Sequence, residues 1–464
     1  MKEYSRGVVW IRRDLRLVDH RALSEATQRC EDVAVVFVFD DNILTKLSNK
    51  RDQRITFILE SLKEIDESLR KLGSQLIIRH GKATVEVPKV INEIKAQALF
   101  FNEDYESYAK NRDHKVIKAL KKEGVGVFSY KDQVIFSGKE VLKPDGNPYQ
   151  VFTPYKKAWL KKFSKKDADL AKVHNHFIDK KSIAGISQAL NFKSIGFEKA
   201  LLPLVFQEPG RKAAVKSIKK FSKYLSHYEK DRDFPYLNNG TSGLSAHLRF
   251  GTLSIRECVR MSLKIKSRGS KVWLNELIWR DFYQMILDQY PHVEKTSFKE
   301  KYRDIRWKNN ASYFKAWCEG RTGFPIVDAG MRQLNQTGWM HNRVRMIVAS
   351  FLVKDLLVDW RKGERYFAEK LLDYDLASNN GGWQWCASTG CDAQPYFRIF
   401  NPSLQSQRFD EEALYIKEWI PELKECSPKD IHFPEKSQLS KQVSYPKPII
   451  SHSVQKDKVL ELFK

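Results

Sequence analysis

Cysteine is scarce in this chain of 464 residues, and its six copies (Cys30, Cys258, Cys318, Cys386, Cys391 and Cys426) include no CxxC pair. That excludes a disulfide-stapled scaffold and a cysteine-rich zinc module, and points to reduced thiols inside a cell. The five-residue step from Cys386 to Cys391 has no standard metal reading, so no metal site is expected. Long apolar runs are missing too, and the opening MKEYSRGVVWIRRDLR lacks the pattern of a secretion signal, so no membrane span and a cytoplasmic setting are expected. No GxGxxG follows the first apolar run, which leaves a dinucleotide fingerprint without its glycines. Acid is also in deficit. Asp plus Glu number 57 against 81 Lys plus Arg, a net charge of +24 and a pI near 9.5. A balance this basic favours a polyanionic partner, nucleic acid first; a merely basic soluble protein is the plainer alternative.

What is present divides by position. A chain of this length exceeds one compact core, so two or more domains are expected. Residues 6 to 135 alternate apolar runs (7–11, 33–39, 75–79, 98–101, 126–130) with helical patterns at 54–72 and 112–124. Uniformly apolar strands between helices predict a parallel, Rossmann-like α/β sheet buried on both faces. From 136 to 200 the pattern dissolves into turns, a short helix with Phe152, Trp159 and Leu160, and the lysine run KKAWLKKFSKK, read as a linker with a solvated basic face. Beyond 200, helices are expected at 213–230, 254–267, 272–290, 325–338 and 342–360, and nine of the eleven tryptophans lie past residue 270. The expected division is an α/β domain over 1–135, a linker over 136–200 and an all-α domain over 201–464.

The densest run of unusual residues is DYDLASNNGGWQWCASTGCDAQPYFRIFNP, 373–402. Glycine lets a backbone approach a ligand closely, side-chain amides donate and accept, and tryptophan offers a broad polarisable face. The mixture suits a flat, polar-edged ring, although a glycine-rich loop with two packed tryptophans has the same composition. TSGLS (241–245) joins glycine to hydroxyls, which suits phosphate or simply caps a helix. In NELIWRDF, Glu276, Trp279 and Arg280 fall at i, i+3 and i+4 and so share a helix face. In GWMHNRVRM, Asn342, Arg345 and Met346 share another, with Arg343 pointing elsewhere.

These motifs in this order, with RRDLRL at 12–17, TGFPIVDAGMRQLNQTGWMHNRVRM and YFRIFNPSLQ, resemble the photolyase/cryptochrome family over essentially the whole chain. The similarity is closest to bacterial class I cyclobutane pyrimidine dimer photolyases. The resemblance implies an α/β antenna domain, a long linker and a helical FAD domain. It implies an FAD pocket from Tyr228, Thr241, Ser242, Gly243, Leu244, Ser245, Trp273, Glu276, Arg280, Arg345, Asp373, Tyr374, Asp375 and Asn379, with 241–245 on the diphosphate and Asn379 facing flavin N5. It places Glu276, Trp279, Asn342, Met346 and Trp385 at the lesion, with Glu276, Asn342, Met346 and Asn379 as catalytic residues. Arg232, Arg280 and Arg343 match DNA contacts. Trp307, Trp360 and Trp383 match a chain that carries an electron to oxidised flavin. For a second, light-harvesting chromophore, Asp104, Glu106 and Lys295 are candidates. A methenyltetrahydrofolate and a deazaflavin or flavin both stay open, because Glu294 stands where folate-binding relatives have cysteine. The implied activity is light-driven splitting of pyrimidine dimers in double- or single-stranded DNA by a monomer, associated with the nucleoid when on DNA. A blue-light sensor of the cryptochrome type is the alternative; Asn379, where such sensors carry Asp or Cys, argues against it.

Overall fold

The first apolar run becomes the centre of a sheet. Val8, Val9, Trp10 and Ile11 are almost wholly buried, and β1 (Tyr4–Ile11) pairs in parallel with β2 (Cys30–Asp40) on one side and β4 (Ala98–Asn102) on the other. β3 (Leu76–Gly81) and β5 (Gly126–Tyr130) complete a five-stranded sheet of order β3-β2-β1-β4-β5. The alternation of the pleat sends Val9 and Ile11 to one face and Val8 and Trp10 to the other, and each face has its own apolar cluster. The computed structural model describes residues 2–437 and 439–463.

The linker does more than cross the surface. Its helix Phe152–Lys162 packs on the helix Arg268–Gln289, and its later part returns to the sheet, where Val33 N–H donates to His176 O and Ile178 N–H to Val33 O. The rest is helical. Two expected helices are broken. The pattern at 213–230 splits into a helix over Gly210–Ser222 and a short one over Tyr228–Asp231, with a turn between them. The carbonyls of Leu225 and Ser226 then lie so close to Gly269 that any Cβ there would collide with them, so the long helix 268–289 crosses where the turn is. The pattern at 342–360 forms Asn342–Ser350, widens into a π turn at Phe351–Asp355, reverses through Leu357 at φ +52°, and restarts at Trp360 under the cap of Asp359. A left-handed leucine costs about 1–3 kcal/mol and is held by its surroundings.

Two domains meet at a charged knot. The Arg13 guanidinium takes Asp104 at 3.2 Å, Glu106 at 2.8 Å and, across the boundary, Asp375. No helix among the described residues is long and apolar enough to cross a membrane.

Candidate functional site

The helices Asn342–Ser350, Trp360–Lys370 and Leu376–Cys386 and the turn at 371–375 line a cavity of about 150 Å³ that opens to solvent. Its wall carries Asn342, Arg345 and Met346 from the first helix, Asp373, Tyr374 and Asp375 from the turn, and Asn379, Gly382 and Trp383 from the last. The helical spacing of 342, 345 and 346 does what the sequence suggests, while Arg343 turns away to Asp233 at 2.8 Å.

Each polar group in the cavity is fixed from behind. Arg345 donates to the Met340 carbonyl at 2.8 Å and to Asp373 at 2.8 Å. Asn379 Nδ2 donates to Glu364 Oε1 at 2.9 Å and to the Glu364 carbonyl at 3.2 Å. The amide hydrogens are thereby taken and the oxygen is the end left for a ligand. Burial pushes the Glu364 carboxyl upward, against the opposing hydrogen bond from Asn379. Asp375 caps the helix 376–386 by accepting from Ser378 N. Burial raises its carboxyl, but the charges of Arg13 and Arg280 with the hydrogen bonds from Ser378 and Arg13 together outweigh this and hold it below its usual range.

Two glycines shape the space. Gly381 faces the Tyr283 ring, which leaves no room for a Cβ, whereas a Cβ on Gly382 would meet nothing and would project into the cavity it lines. Gly363 lets the Trp383 ring lie against the helix 360–370, where a side chain would collide with it. The Trp383 Nε1 is buried without a partner.

A second cavity of about 100 Å³ is lined by Thr241, Ser242 and Gly243 with Lys216, Lys220, Asn238 and Asn239. Gly243 has φ +62°. The helix Ser245–Phe250 has Leu244 at its N-cap and no side-chain cap; Ser242 Oγ accepts only a long bond of 3.4 Å from Leu244 N. Leu244 is buried and Ser245 exposed.

The structure redirects several residues that the family pattern places on the cofactor or DNA. Tyr228 and Trp273 are buried against Phe221 and line neither cavity. Glu276 is paired with Arg232 across to the helix Tyr228–Asp231. Arg280 donates to the Gln133 carbonyl and so ties the helical region to the end of the α/β region. Trp279 stacks on Phe152 with 3.7 Å between ring centroids and 7° between planes. Trp385 lines a separate small cleft with Tyr283 and Gly390. Asp104 and Glu106 pair with Arg13, and Lys295 is exposed. Trp360 is buried, and Trp307 is half-buried with Phe463 edge-on at 5.8 Å.

Sequence reasoning missed Glu364, Arg13 and Gln284. Gln284 donates to both Asp375 oxygens at 3.1–3.2 Å. None of the three carries a local signal, because each acts on a residue far along the chain.

Comparison with known proteins fits this geometry. Residues 7–173 match the family model described as DNA photolyase, and 273–464 match the one described as FAD binding domain of DNA photolyase. The chain is 40% identical to the deoxyribodipyrimidine photo-lyase of Escherichia coli strain K12 over 96% of its own length and 95% of that protein's. A bacterial class III photolyase from Agrobacterium tumefaciens superposes with a TM-score of 0.89 at 32% identity, covering 100% of this chain and 98% of the other. An archaeal photolyase from Sulfolobus tokodaii, solved with two FAD molecules, superposes at 0.85 with 36% identity and 99% coverage of both.

Proposed function

Because the chain belongs to the photolyase/cryptochrome family, we propose that it is a deoxyribodipyrimidine photo-lyase, which uses light to split cyclobutane pyrimidine dimers in DNA. FAD is its cofactor. The observation that carries the reading is the first cavity. It has a flat glycine floor at Gly382, a fixed cation at Arg345, an amide oxygen presented by Asn379, and Trp383 in its wall. These groups fit a planar ring with N–H and C=O edges, and the lysines and hydroxyls of the second cavity fit a diphosphate.

Reduced FAD, when bound, supplies the light-excited electron that opens the cyclobutane ring, as cofactors carry such chemistry generally. The protein does the rest. Arg345 and Asp373 hold one edge of the ring system, and Asn379 offers its oxygen to a ring N–H. Asn342 and Met346, whose Nδ2 and Sδ lie 3.9 Å apart at the cavity wall, are placed to meet the dimer. The lesion is inaccessible inside a duplex and is extruded, most cheaply where damage has already weakened pairing. Arg232 and Arg343, with the basic surface, supply phosphate affinity without sequence readout.

We assign single-stranded as well as double-stranded DNA as substrate, a monomer as the working unit, and a cytoplasmic, nucleoid-associated setting. The division into 1–135, 136–200 and 201–464 goes with that reading. The second chromophore, of folate or deazaflavin/flavin type, is placed away from Asp104 and Glu106, since Arg13 holds both.

The test is a defined oligonucleotide with one thymine dimer, incubated with FAD-loaded, reduced protein under blue light and in the dark. Light-dependent recovery of intact thymines is expected. Binding without light-dependent reversal would favour the sensor alternative.

A further inference from the structure

Trp383 lines the cofactor cavity, and two aromatic rings pack on its far side. Phe367 lies at 5.0 Å, and Trp317 meets Trp383 edge to face, with ring centroids 6.0 Å apart and an interplanar angle of 70°. Trp317 continues outward. Its ring meets Tyr366 at 5.7 Å and 64°. Tyr366 is half-buried, and its hydroxyl lies 2.7 Å from the exposed Asn335 Oδ1 and 3.0 Å from the Cys318 carbonyl. An unbroken line of redox-capable rings thus runs from the cavity to the surface through the helices Ala311–Glu319 and Trp360–Lys370. It does not involve Trp307, which packs with Tyr302 and Phe463.

We propose that Trp317 and Tyr366 form a second electron path to Trp383, beside the one assigned to Trp360 and Trp307. The proposal rests on the reading of Trp383 as donor to FAD. Trp383 gives one electron to light-excited, oxidised flavin and regains one from Trp317. Trp317 in turn takes one from Tyr366.

The hydrogen bonds set the direction. The Trp317 Nε1 donates to the Val348 carbonyl at 3.0 Å in a fully buried setting. A carbonyl does not accept that proton outright, so oxidised Trp317 keeps it and passes the deficit on. Tyr366 is different. Its hydroxyl is also bonded to carbonyl oxygens, Asn335 Oδ1 and Cys318 O, but it is half-exposed, so on oxidation the proton passes to bulk water, which traps the electron deficit at the protein's edge. An external thiolate then returns one electron, a proton comes back from water, and the tyrosine is restored while the thiolate becomes a thiyl radical. Gly363 keeps the path short, because any side chain there would push Trp383 off the helix that carries Tyr366.

The experiment uses FAD-loaded, oxidised protein illuminated with a thiol donor, followed by flash absorption and electron paramagnetic resonance. The variants are Trp360→Phe, Tyr366→Phe, the double Trp360→Phe/Tyr366→Phe, and Trp383→Phe. Trp360→Phe is expected to keep a reduced rate of flavin photoreduction and to show a tyrosyl radical. The double variant should lose both. Tyr366 is half-exposed, so its loss of a hydroxyl leaves the core intact. If Trp360→Phe alone abolishes photoreduction, or if the double variant keeps the residual rate and the radical, the second path is wrong. If Trp383→Phe photoreduces like the parent, the reading of Trp383 fails, and the path fails with it.

Discussion

The ring of Phe152 lies flat on Trp279, 3.7 Å away. One belongs to the linker helix and the other to the helix 268–289, so the linker buttresses the residue that the family pattern places at the lesion. One face of the half-buried indole is covered by Phe152, and Phe282 at 5.6 Å and Tyr283 at 5.3 Å also pack on it.

Trp279→Ala should therefore weaken binding to dimer-containing DNA about 5- to 150-fold, since base stacking contributes roughly 1–3 kcal/mol and about 1.4 kcal/mol is a decade. Binding to undamaged duplex should barely move. Phe152→Ala, which leaves the indole but removes its backing, should lower the same affinity by less. A titration of both DNAs against each variant checks this, and equal losses on the two would remove Trp279 from the lesion.

The arginines we assign to DNA are already partnered. Arg232 is held by Glu276, and Arg343 by Asp233 at 2.8 Å while it covers the Phe409 ring. Affinity for duplex should fall by about 0.9 log units per phosphate contact for each log unit of salt. Asp233→Asn frees Arg343 from a competing carboxylate, so it should tighten binding and steepen that slope. Weaker binding by Asp233→Asn would mean that the pair positions Arg343 instead of restraining it.

Three carboxylates crowd Arg13 at the domain boundary, with Arg249 3.7 Å from Glu106 and with Arg280 near Asp375 and Arg12 near Asp104. Burial, which the Arg13 charge only partly offsets, together with the neighbouring Asp104 and Asp375, pushes the Glu106 carboxyl up to about 8 from 4.5. The folded protein thus keeps a proton that the unfolded chain has released. Stability from this group is complete below about 4.5 and is lost as pH rises toward about 8. The slope is at most about 1.4 kcal/mol per pH unit for one proton. Thermal midpoints across that range should decline in the parent protein and flatten in Glu106→Gln. An unchanged slope in Glu106→Gln would place the proton elsewhere.

The α/β half was legible because its inner strands are buried on both faces and so read as short apolar runs; all five strands, the half-exposed edge strand β5 included, lie within a few residues of the expected positions. The helical half was legible in its faces but not in its breaks. Nothing in the sequence of 342–360 marks the left-handed Leu357, since the reversal is imposed by packing and not by glycine or proline. The cavity followed from the 373–383 run. The partners that fix it, Glu364 behind Asn379 and Arg13 behind Asp375, are 15 and 362 residues away, where no spacing rule reaches. The basic face was visible as charge, but charge counting cannot show that Arg280 is turned inward to a backbone carbonyl.

The tryptophans separate two activities that share one cofactor. Repair starts from reduced FAD, so an electron from the surface is needed only when the flavin is oxidised. Trp307 is half-buried against Phe463, where water and donors come near. Trp360 is buried at the start of the helix whose Gly363 touches Trp383. Trp307→Phe should greatly slow thiol-driven photoreduction of oxidised flavin, with the remainder carried through Tyr366. The same variant, chemically reduced beforehand, should repair dimers near the parent rate. Phenylalanine keeps most of the ring volume at a partly exposed site, so the stability cost should stay below about 1.5 kcal/mol. Flavin absorbance under illumination, measured beside repair by pre-reduced protein, distinguishes the cases. Undiminished photoreduction would make Trp307 a packing residue only. Lost repair in the pre-reduced variant would mean that the substitution disturbs the lesion pocket, and the separation of the two activities would not hold.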